Sequence, residues 1–220
     1  MVLARKQVLK TRSNIPYNPQ KYFYYPEKKW LSHTPWFKSF VRRNSGIIGN
    51  FLQARRKILA GRRKVKIGKL AVERLERPGF MHSEIYRASI GRKVFFIKEQ
   101  NEKKQMEGFR AKLDLAQPQI QALEKAGQIL EDFNRRNGTG IKVETVKYHL
   151  AWTQGKSSFL VTDYYEGERF ADNEELWKGP IGLLAGEAFA LLAKNGFIGA
   201  SKGNAMWVPR QRKIVLFDFA

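Results

Sequence analysis

The chain has 220 residues, a formal net charge of +21 and no cysteine. The lack of cysteine excludes disulfides, thiolate catalysis and cysteine-ligated zinc or iron–sulfur sites. No apolar run approaches the roughly 18 residues that a membrane-spanning helix needs, so no transmembrane segment is predicted. A hydrophobic content of 43% suits one folded core with an appendage.

The positive charge is concentrated in the first third of the chain. Residues 1–70 hold 18 of the 41 Lys and Arg residues and a single acid, Glu27. Cations that neutralise phosphates release counterions, which gives a strong and salt-sensitive attraction to nucleic acid. We therefore expect residues 1–70 to be a basic arm on RNA and residues 71–220 to be the folded domain. A solvated tail is the alternative, and no residue separates RNA from DNA.

The candidate RNA contacts are the cations of the densest clusters. The run 61–69 holds five of them, which also fits a nuclear import signal or an anionic membrane surface. The first 25 residues contain no acid and resemble an organelle transit peptide, so the mitochondrial matrix is one candidate compartment. The candidates are Lys28, Lys29, Arg42, Arg43, Arg55, Arg56, Lys57, Arg62, Arg63, Lys64, Lys66 and Lys69.

Aromatic residues lie between these charges. Their rings can stack on unpaired bases, as in single-strand and structured-RNA binders, or bury against protein, which is the default for any single ring. Prolines 16, 19, 26 and 35 predict an extended stretch that becomes ordered when it docks. The rings are Tyr17, Tyr22, Phe23, Tyr24, Tyr25, Trp30, Trp36, Phe37 and Phe40.

The hydrophobic pattern predicts an α+β fold. Apolar residues at helical spacing predict a helix over 47–59. The elements expected after it are strands at 83–89 and 93–98, helices at 99–115 and 117–136, a strand at 142–152, a strand from 158, a helix at 180–194 and a hairpin at 204–217. This order describes an antiparallel sheet with helices, then a connecting segment, a helix and a terminal hairpin.

The last seventeen residues, NAMWVPRQRKIVLFDFA, carry a resemblance to a known family. They resemble the metal-binding hairpin of protein kinases and aminoglycoside-phosphotransferase-like enzymes, in which His-x-Asp-x-x-x-x-Asn is followed by Asp-Phe-Gly. Gly199 stands where that family has its catalytic aspartate, and Phe197 stands where it has histidine. The resemblance therefore implies a degenerate, pseudokinase-like domain without catalytic residues. The chain ends at Asp218-Phe-Ala, so we expect a truncated lobe that needs a partner.

The resemblance also implies where a nucleotide would bind. Lys98 corresponds to the phosphate-binding lysine, Glu124 is the first choice for its partner and Glu107 the second. The segment 163–165 corresponds to the hinge that pairs with adenine. Asn204 and Asp218 correspond to the magnesium ligands, and Lys202 could neutralise a phosphate. Only Gly79 precedes the strands in place of a glycine-rich loop, so no cofactor is expected, with Mg-ATP as the alternative.

Three functions follow from these expectations. The first is a non-catalytic, RNA-associated structural protein of a large ribonucleoprotein, such as a ribosome, an organellar ribosome or its assembly machinery, with RNA and neighbouring proteins as partners. The second is a minimal ATP-dependent kinase or phosphotransferase. The third is a regulator that binds ATP without turnover.

Overall fold

The fold has two sheets, each with its own helices and its own hydrophobic core. A computed structural model describes residues 29–33, 35–44, 46–76, 83–101, 116–154, 157–197 and 200–217. The strands are β1 Lys29–His33, β2 Lys64–Ile67, β3 Leu70–Arg74, β4 Ser83–Ile90, β5 Lys93–Asn101, β6 Lys142–Thr145, β7 Tyr148–Gln154, β8 Ser157–Asp163, β9 Glu168–Arg169, β10 Ala205–Val208 and β11 Lys213–Leu216. The helices are α1 Pro35–Arg43, α2 Ile47–Leu59, α3 Ala116–Asn137, α4 Glu174–Lys178 and α5 Pro180–Lys194.

The larger sheet has seven strands in the order β1-β7-β8-β5-β4-β3-β2, and every neighbouring pair is antiparallel. Helices α1 and α2 cover one of its faces. Phe37 and Phe51 of these helices join Phe95, Trp152 and other sheet residues in one buried cluster. We call this side the helix-covered face and the other side the opposite face. Because side chains alternate along a strand, β5 sends odd-numbered residues to the first face and even-numbered residues to the second.

The smaller sheet has the order β6-β11-β10-β9, with β6 parallel to β11 and the other pairs antiparallel. Helices α3 and α5 pack with it around a second core, which contains Leu130, Val143, Leu192 and Ile214. The prediction of an α+β fold with an antiparallel sheet and helices is confirmed.

Several predicted boundaries differ from the structure. Residues 99–101, predicted to start a helix, continue strand β5, and the rest of that predicted helix lies outside the described residues. The single strand predicted for 142–152 is two strands, β6 and β7, which belong to different sheets. Backbone pairing explains the break, because Asp163 donates its amide hydrogen to the Lys147 carbonyl between them.

The predicted boundary at residue 70 also falls inside packed structure. Strand β2 pairs with β3, and α2 lies against the larger sheet, so residues 35–67 pack with the folded domain. Pro35, expected within an extended stretch, is the first residue of helix α1, where its missing amide hydrogen costs nothing. Residues 1–28 of the predicted arm, including Lys28, lie outside the described residues.

The exposed edge of β6 is closed by one side chain. The Asn134 amide donates to the Val143 carbonyl at 2.7 Å, and its oxygen accepts from the Val143 amide at 2.8 Å. This side chain takes the place of a neighbouring strand, so it satisfies backbone groups whose burial without a partner would be costly.

Asn134→Ala is therefore expected to lower the free energy of unfolding by about 2 to 3 kcal/mol, because both Val143 groups lose their partner. Urea unfolding followed by circular dichroism measures it. The matched control is Gln128→Ala, since Gln128 is an exposed residue of the same helix and its loss is expected to change stability by less than about 0.5 kcal/mol. Equal effects of the two substitutions would contradict this role for Asn134.

Candidate functional site

The strand that carries Lys98 lies next to the strand that leads into the predicted hinge. Lys98 on β5 is opposite Leu160 on β8, and its side chain is on the opposite face, where it is buried. The pairing of the two strands ends three residues away, where Phe95 is opposite Asp163.

The side chains between Lys98 and the hinge are large. Phe96 lies two residues before Lys98, on the same face, and its register partners are Arg87 on β4 and Thr162 on β8. The Arg87 guanidinium lies over the ring of Tyr164, 5.2 Å from its centroid, which is a cation–π contact. A base held by the hinge backbone would meet Phe96 and this pair. Sequence reasoning missed Arg87, although alternation along β4 was enough to place it on this face.

The predicted partner of Lys98 contacts another residue. Glu124 of helix α3 accepts a hydrogen bond from the Tyr148 hydroxyl of β7. Glu107, the second choice, lies outside the described residues. Helix α3 is therefore joined to the sheet at Glu124 by a tyrosine hydrogen bond.

The terminal hairpin places Asn204 beside the end of β11. Phe217 donates its amide hydrogen to the Asn204 carbonyl at 2.9 Å, one residue before Asp218. Asp218 and Gly199 lie outside the described residues, so the structure does not give the distance between the two predicted magnesium ligands. Among the residues that it describes, no cluster of three or more His, Asp or Glu could hold a metal ion.

Lys202, near the predicted catalytic loop, has an acidic neighbour. Its Nζ lies 3.1 Å from a carboxylate oxygen of Glu174, at the start of helix α4. The hydrogen bond and charge of Lys202, with a smaller contribution from Lys178, lower the pKa of Glu174 below its ordinary value. Both side chains are well exposed, so this pair contributes little to stability. Its effect is to direct the Lys202 charge toward a carboxylate.

The buried side chain of His149 joins helix α1 to Asp163, the first residue of the predicted hinge. His149 lies at the irregularity in the pairing of β7 with β8, and its Nε2 is 2.7 Å from Asp163 Oδ1. Its ring stacks on Phe37 at 5.4 Å and contacts Trp36 at 5.1 Å. Sequence reasoning missed this link, because His149 and Asp163 have no motif spacing and only the bulge brings them together.

Arg55, a predicted RNA contact, instead makes internal contacts. Its Nε donates to Glu99 Oε2 at 2.6 Å and its Nη2 donates to Oε1, which makes a bidentate pair on the helix-covered face. Tyr86 and Ser157 also donate to Glu99, at 3.0 and 2.7 Å. The Glu99 side chain is 1% exposed. Alternation along β5 was the available signal, since it places an acid in line with Phe95 on the buried side.

This network shifts the pKa of two of its members. Burial lowers the pKa of Arg55, but the hydrogen bonds and the negative charge of Glu99 outweigh it, so the pKa stands above its ordinary value. Burial, followed by the charge of Glu99, raises the pKa of Tyr86. Arg55 therefore stays charged and Tyr86 stays protonated at neutral pH.

Most of the other predicted RNA contacts lie on the surface. Nine cations between residues 42 and 69 are exposed, and this stretch contains no acid. We call these nine the basic surface; within it, Lys64 and Lys66 alternate with buried Val65 on edge strand β2 and so point away from the helix-covered face. All except Arg56 form no ion pair within the described residues. The structure does not describe the side chain of Lys29. The basic surface consists of Arg42, Arg43, Arg56, Lys57, Arg62, Arg63, Lys64, Lys66 and Lys69.

The aromatic residues predicted as alternative base contacts differ in how far they are exposed. Phe37 and Phe40 are buried in the larger core. Trp36 is 36% exposed, stacks on Phe40 at 5.5 Å and has Lys93 over its ring at 5.0 Å. For Phe37 and Phe40, the default expectation of burial against protein is confirmed, whereas Trp36 packs on Phe40 but stays exposed. The other six rings lie outside the described residues or have side chains that are not described.

No helix among the described residues is both long enough and apolar enough to span a bilayer. Three parts of the described chain bear on the proposals below: the basic surface, the opposite face of the larger sheet around Lys98, and the hairpin at Asn204.

Comparisons with known proteins give low similarity. No family model matches the chain, and no curated protein matches it. Among solved structures, it is similar to the PknI kinase domain of Mycobacterium tuberculosis, with 12% identity and a TM-score of 0.40, covering 72% of this chain and 62% of that one. A point mutant of the same domain gives 14% identity and a TM-score of 0.38, with the same coverage. WbdD gives 17% identity and a TM-score of 0.37, over 71% of this chain and 34% of that one. The chain thus spans less than two thirds of each of these three structures.

Proposed function

We propose that this protein is a non-catalytic, nucleic-acid-associated structural protein with a degenerate kinase-like domain. The observation that carries the proposal is the basic surface, whose nine cations are exposed and have no acid in their stretch of the chain. A cation bonded to an internal carboxylate, as Arg55 is, contributes little to phosphate binding. Exposed cations that neutralise phosphates release the counterions condensed on the nucleic acid.

The kinase-like part is proposed to act as scaffold. Gly199 replaces the aspartate that would accept a hydroxyl proton, and Lys202 cannot accept one at neutral pH. Phe96 and the Arg87–Tyr164 pair lie beside the segment where a base would bind. These features together favour a scaffold over phosphoryl transfer.

Within this proposal, the domain docks on neighbouring proteins of a large ribonucleoprotein such as a ribosome. Helix α5 supports a docking role because it is mostly apolar and exposes a large apolar side chain, Leu183, which is 66% exposed. In this proposal the exposed cations of residues 42–69 carry the RNA contacts, and other surfaces of the folded domain carry the protein contacts. Arg55 is left out of the proposed contact set, since it is bonded to Glu99.

The test is a thermal-shift measurement with Mg-ATP in moderate salt, which suppresses nonspecific attraction to the basic surface. Wild type, Lys98→Ala and Asp218→Ala are all expected to show no shift. A ligand that binds the native state at about 100 times its dissociation constant would add about 2.7 kcal/mol of stability, which this measurement detects.

Two outcomes would contradict the proposal. A shift that Asp218→Ala abolishes, together with ATP consumption, would support the enzyme. Saturable ATP binding without turnover would support the nucleotide sensor. A filter-binding assay with RNA completes the design, because the proposal also requires RNA affinity that falls when cations of the basic surface are removed.

A further inference from the structure

We infer that the basic surface binds the phosphates of a double helix and makes no stacking contact with bases. This inference rests on the proposed function and specifies its ligand. It concerns the described cations between residues 42 and 69 and the elements that hold them.

The basic surface has no exposed ring to receive a base. The one aromatic residue between positions 42 and 69 is Phe51, which is 3% exposed and packs edge-on against Tyr86, Trp152 and Phe159. Before this stretch, Phe37 and Phe40 are buried as well, and the more exposed Trp36 already stacks on Phe40 and has Lys93 over its ring. Single-strand binders gain about 1 to 3 kcal/mol for each base stacked on a ring. Residues 42–69 offer no such gain.

Helix α2 fixes the distance between two groups of these cations, which lie at its two ends. Arg42 and Arg43 end helix α1, directly before α2, and Lys57 lies in the last turn of α2. Thirteen helical residues span about 20 Å, so two groups of charge are separated by roughly that length. The second group continues through the exposed loop residues Arg62 and Arg63.

Helix α2 itself is anchored to the sheet. Arg55, two residues before Lys57, makes the bidentate pair with buried Glu99. A fixed spacing of charges suits a ligand whose phosphates are also at fixed positions. In a duplex the strands hold the phosphates across a groove, and double-stranded RNA is recognised largely through this shape.

Charge density leads to the same ligand. A duplex carries one charge for about every 1.7 Å of its axis, and each neutralised phosphate contributes about 0.9 to the salt slope, against about 0.7 for a single strand. A surface that binds through phosphate alone therefore gains more from a duplex. Opening base pairs costs free energy, and a surface without exposed rings offers no stacking to offset that cost.

The experiment measures the affinity of the full chain by fluorescence anisotropy across a salt series. The probes are an RNA duplex of about 20 base pairs, each of its single strands, a second RNA duplex of unrelated sequence and a DNA duplex of the first sequence. The test variant replaces four cations of the basic surface from the two ends of α2, Arg43, Lys57, Arg62 and Arg63, with alanine. The control replaces four exposed cations elsewhere, Lys125, Lys142, Lys194 and Arg210, with alanine.

We expect both RNA duplexes to bind within about twofold of each other and about tenfold more tightly than either single strand. The test variant is expected to lower the salt slope by about 3 to 4, and the control by less than about 1. A preference for RNA or for DNA duplex supports the inference in either case and identifies the duplex.

Two failures can be told apart. Single strands that bind as tightly as the duplexes, or an affinity that follows base composition, would overturn this inference while leaving RNA binding in place. Equal effects of the test and control variants, or no binding of any probe, would overturn both the inference and the proposed function. Circular dichroism of both variants checks that they are folded.

Discussion

Glu99→Ala is expected to lower the free energy of unfolding by about 3 to 5 kcal/mol, which makes it one of the most damaging single changes in the described chain. The carboxylate is 1% exposed and receives hydrogen bonds from Arg55, Tyr86 and Ser157. Its removal leaves the guanidinium, which is 20% exposed, without a partner in a poorly hydrated position. Urea unfolding monitored by tryptophan fluorescence measures the loss.

Glu84 provides a matched control on the neighbouring strand. It is directly opposite Glu99 in the sheet register and pairs with Arg74 at 2.7 Å. The Arg74 side chain is 43% exposed, so water can solvate it when the carboxylate is gone. Glu84→Ala is therefore expected to cost about 1 kcal/mol. If both substitutions cost the same, burial of the arginine is not what makes the Glu99 pair important.

A double-mutant cycle shows how much of the effect is coupling. Arg55→Met leaves Glu99 buried with the two hydroxyl donors, Glu99→Leu leaves Arg55 without its carboxylate, and the double variant Arg55→Met/Glu99→Leu removes both charges. Replacing a whole buried pair with apolar residues is often close to neutral, so the double variant is expected to be more stable than either single variant. A double variant whose loss equals the sum of the two single losses would show that the two side chains are not coupled.

The elements that sequence reasoning predicted well carry their own start and stop signals. Helix α5 was predicted at its observed bounds because Pro180 suits a first turn, and because Asn195 and Gly196 end it, with Gly196 at φ 85°. Strand β4 was likewise predicted from local alternation, whereas β5 and the hairpin at β10 and β11 were predicted from the family resemblance. For α5 and β4 the signal lies within the element itself.

The parts that were missed depend on residues far apart in the chain. Cluster density could not show that Arg55 turns inward, because its partner Glu99 is 44 residues away. The split of 142–152 into two strands is fixed by Asp163, which pairs with the Lys147 carbonyl. Helix α1 was missed for another reason: four prolines were read as one extended stretch, although Phe37, Phe40 and Val41 already had helical spacing.

The packing of helix α5 on α4 leads to the second large effect. Gly182 lies in the first turn of α5, and a Cβ added there would be 1.8 Å from the Trp177 carbonyl oxygen and 2.4 Å from its carbon. Those atoms belong to backbone, so they cannot rotate away as a flexible side chain would. Gly182→Ala must therefore shift one helix against the other, and we expect a loss of about 3 kcal/mol in the free energy of unfolding.

Gly186 makes the comparison decisive because it lies one turn further along the same helix. A Cβ added there meets nothing within 4 Å. Gly186→Ala is expected to raise stability by about 0.5 to 1 kcal/mol, since alanine loses less backbone freedom in a helix. The same chemical change thus has opposite signs at two positions of α5, and thermal and urea unfolding of both variants checks the signs. A neutral Gly182→Ala would show that α4 and α5 approach less closely than the structure has them.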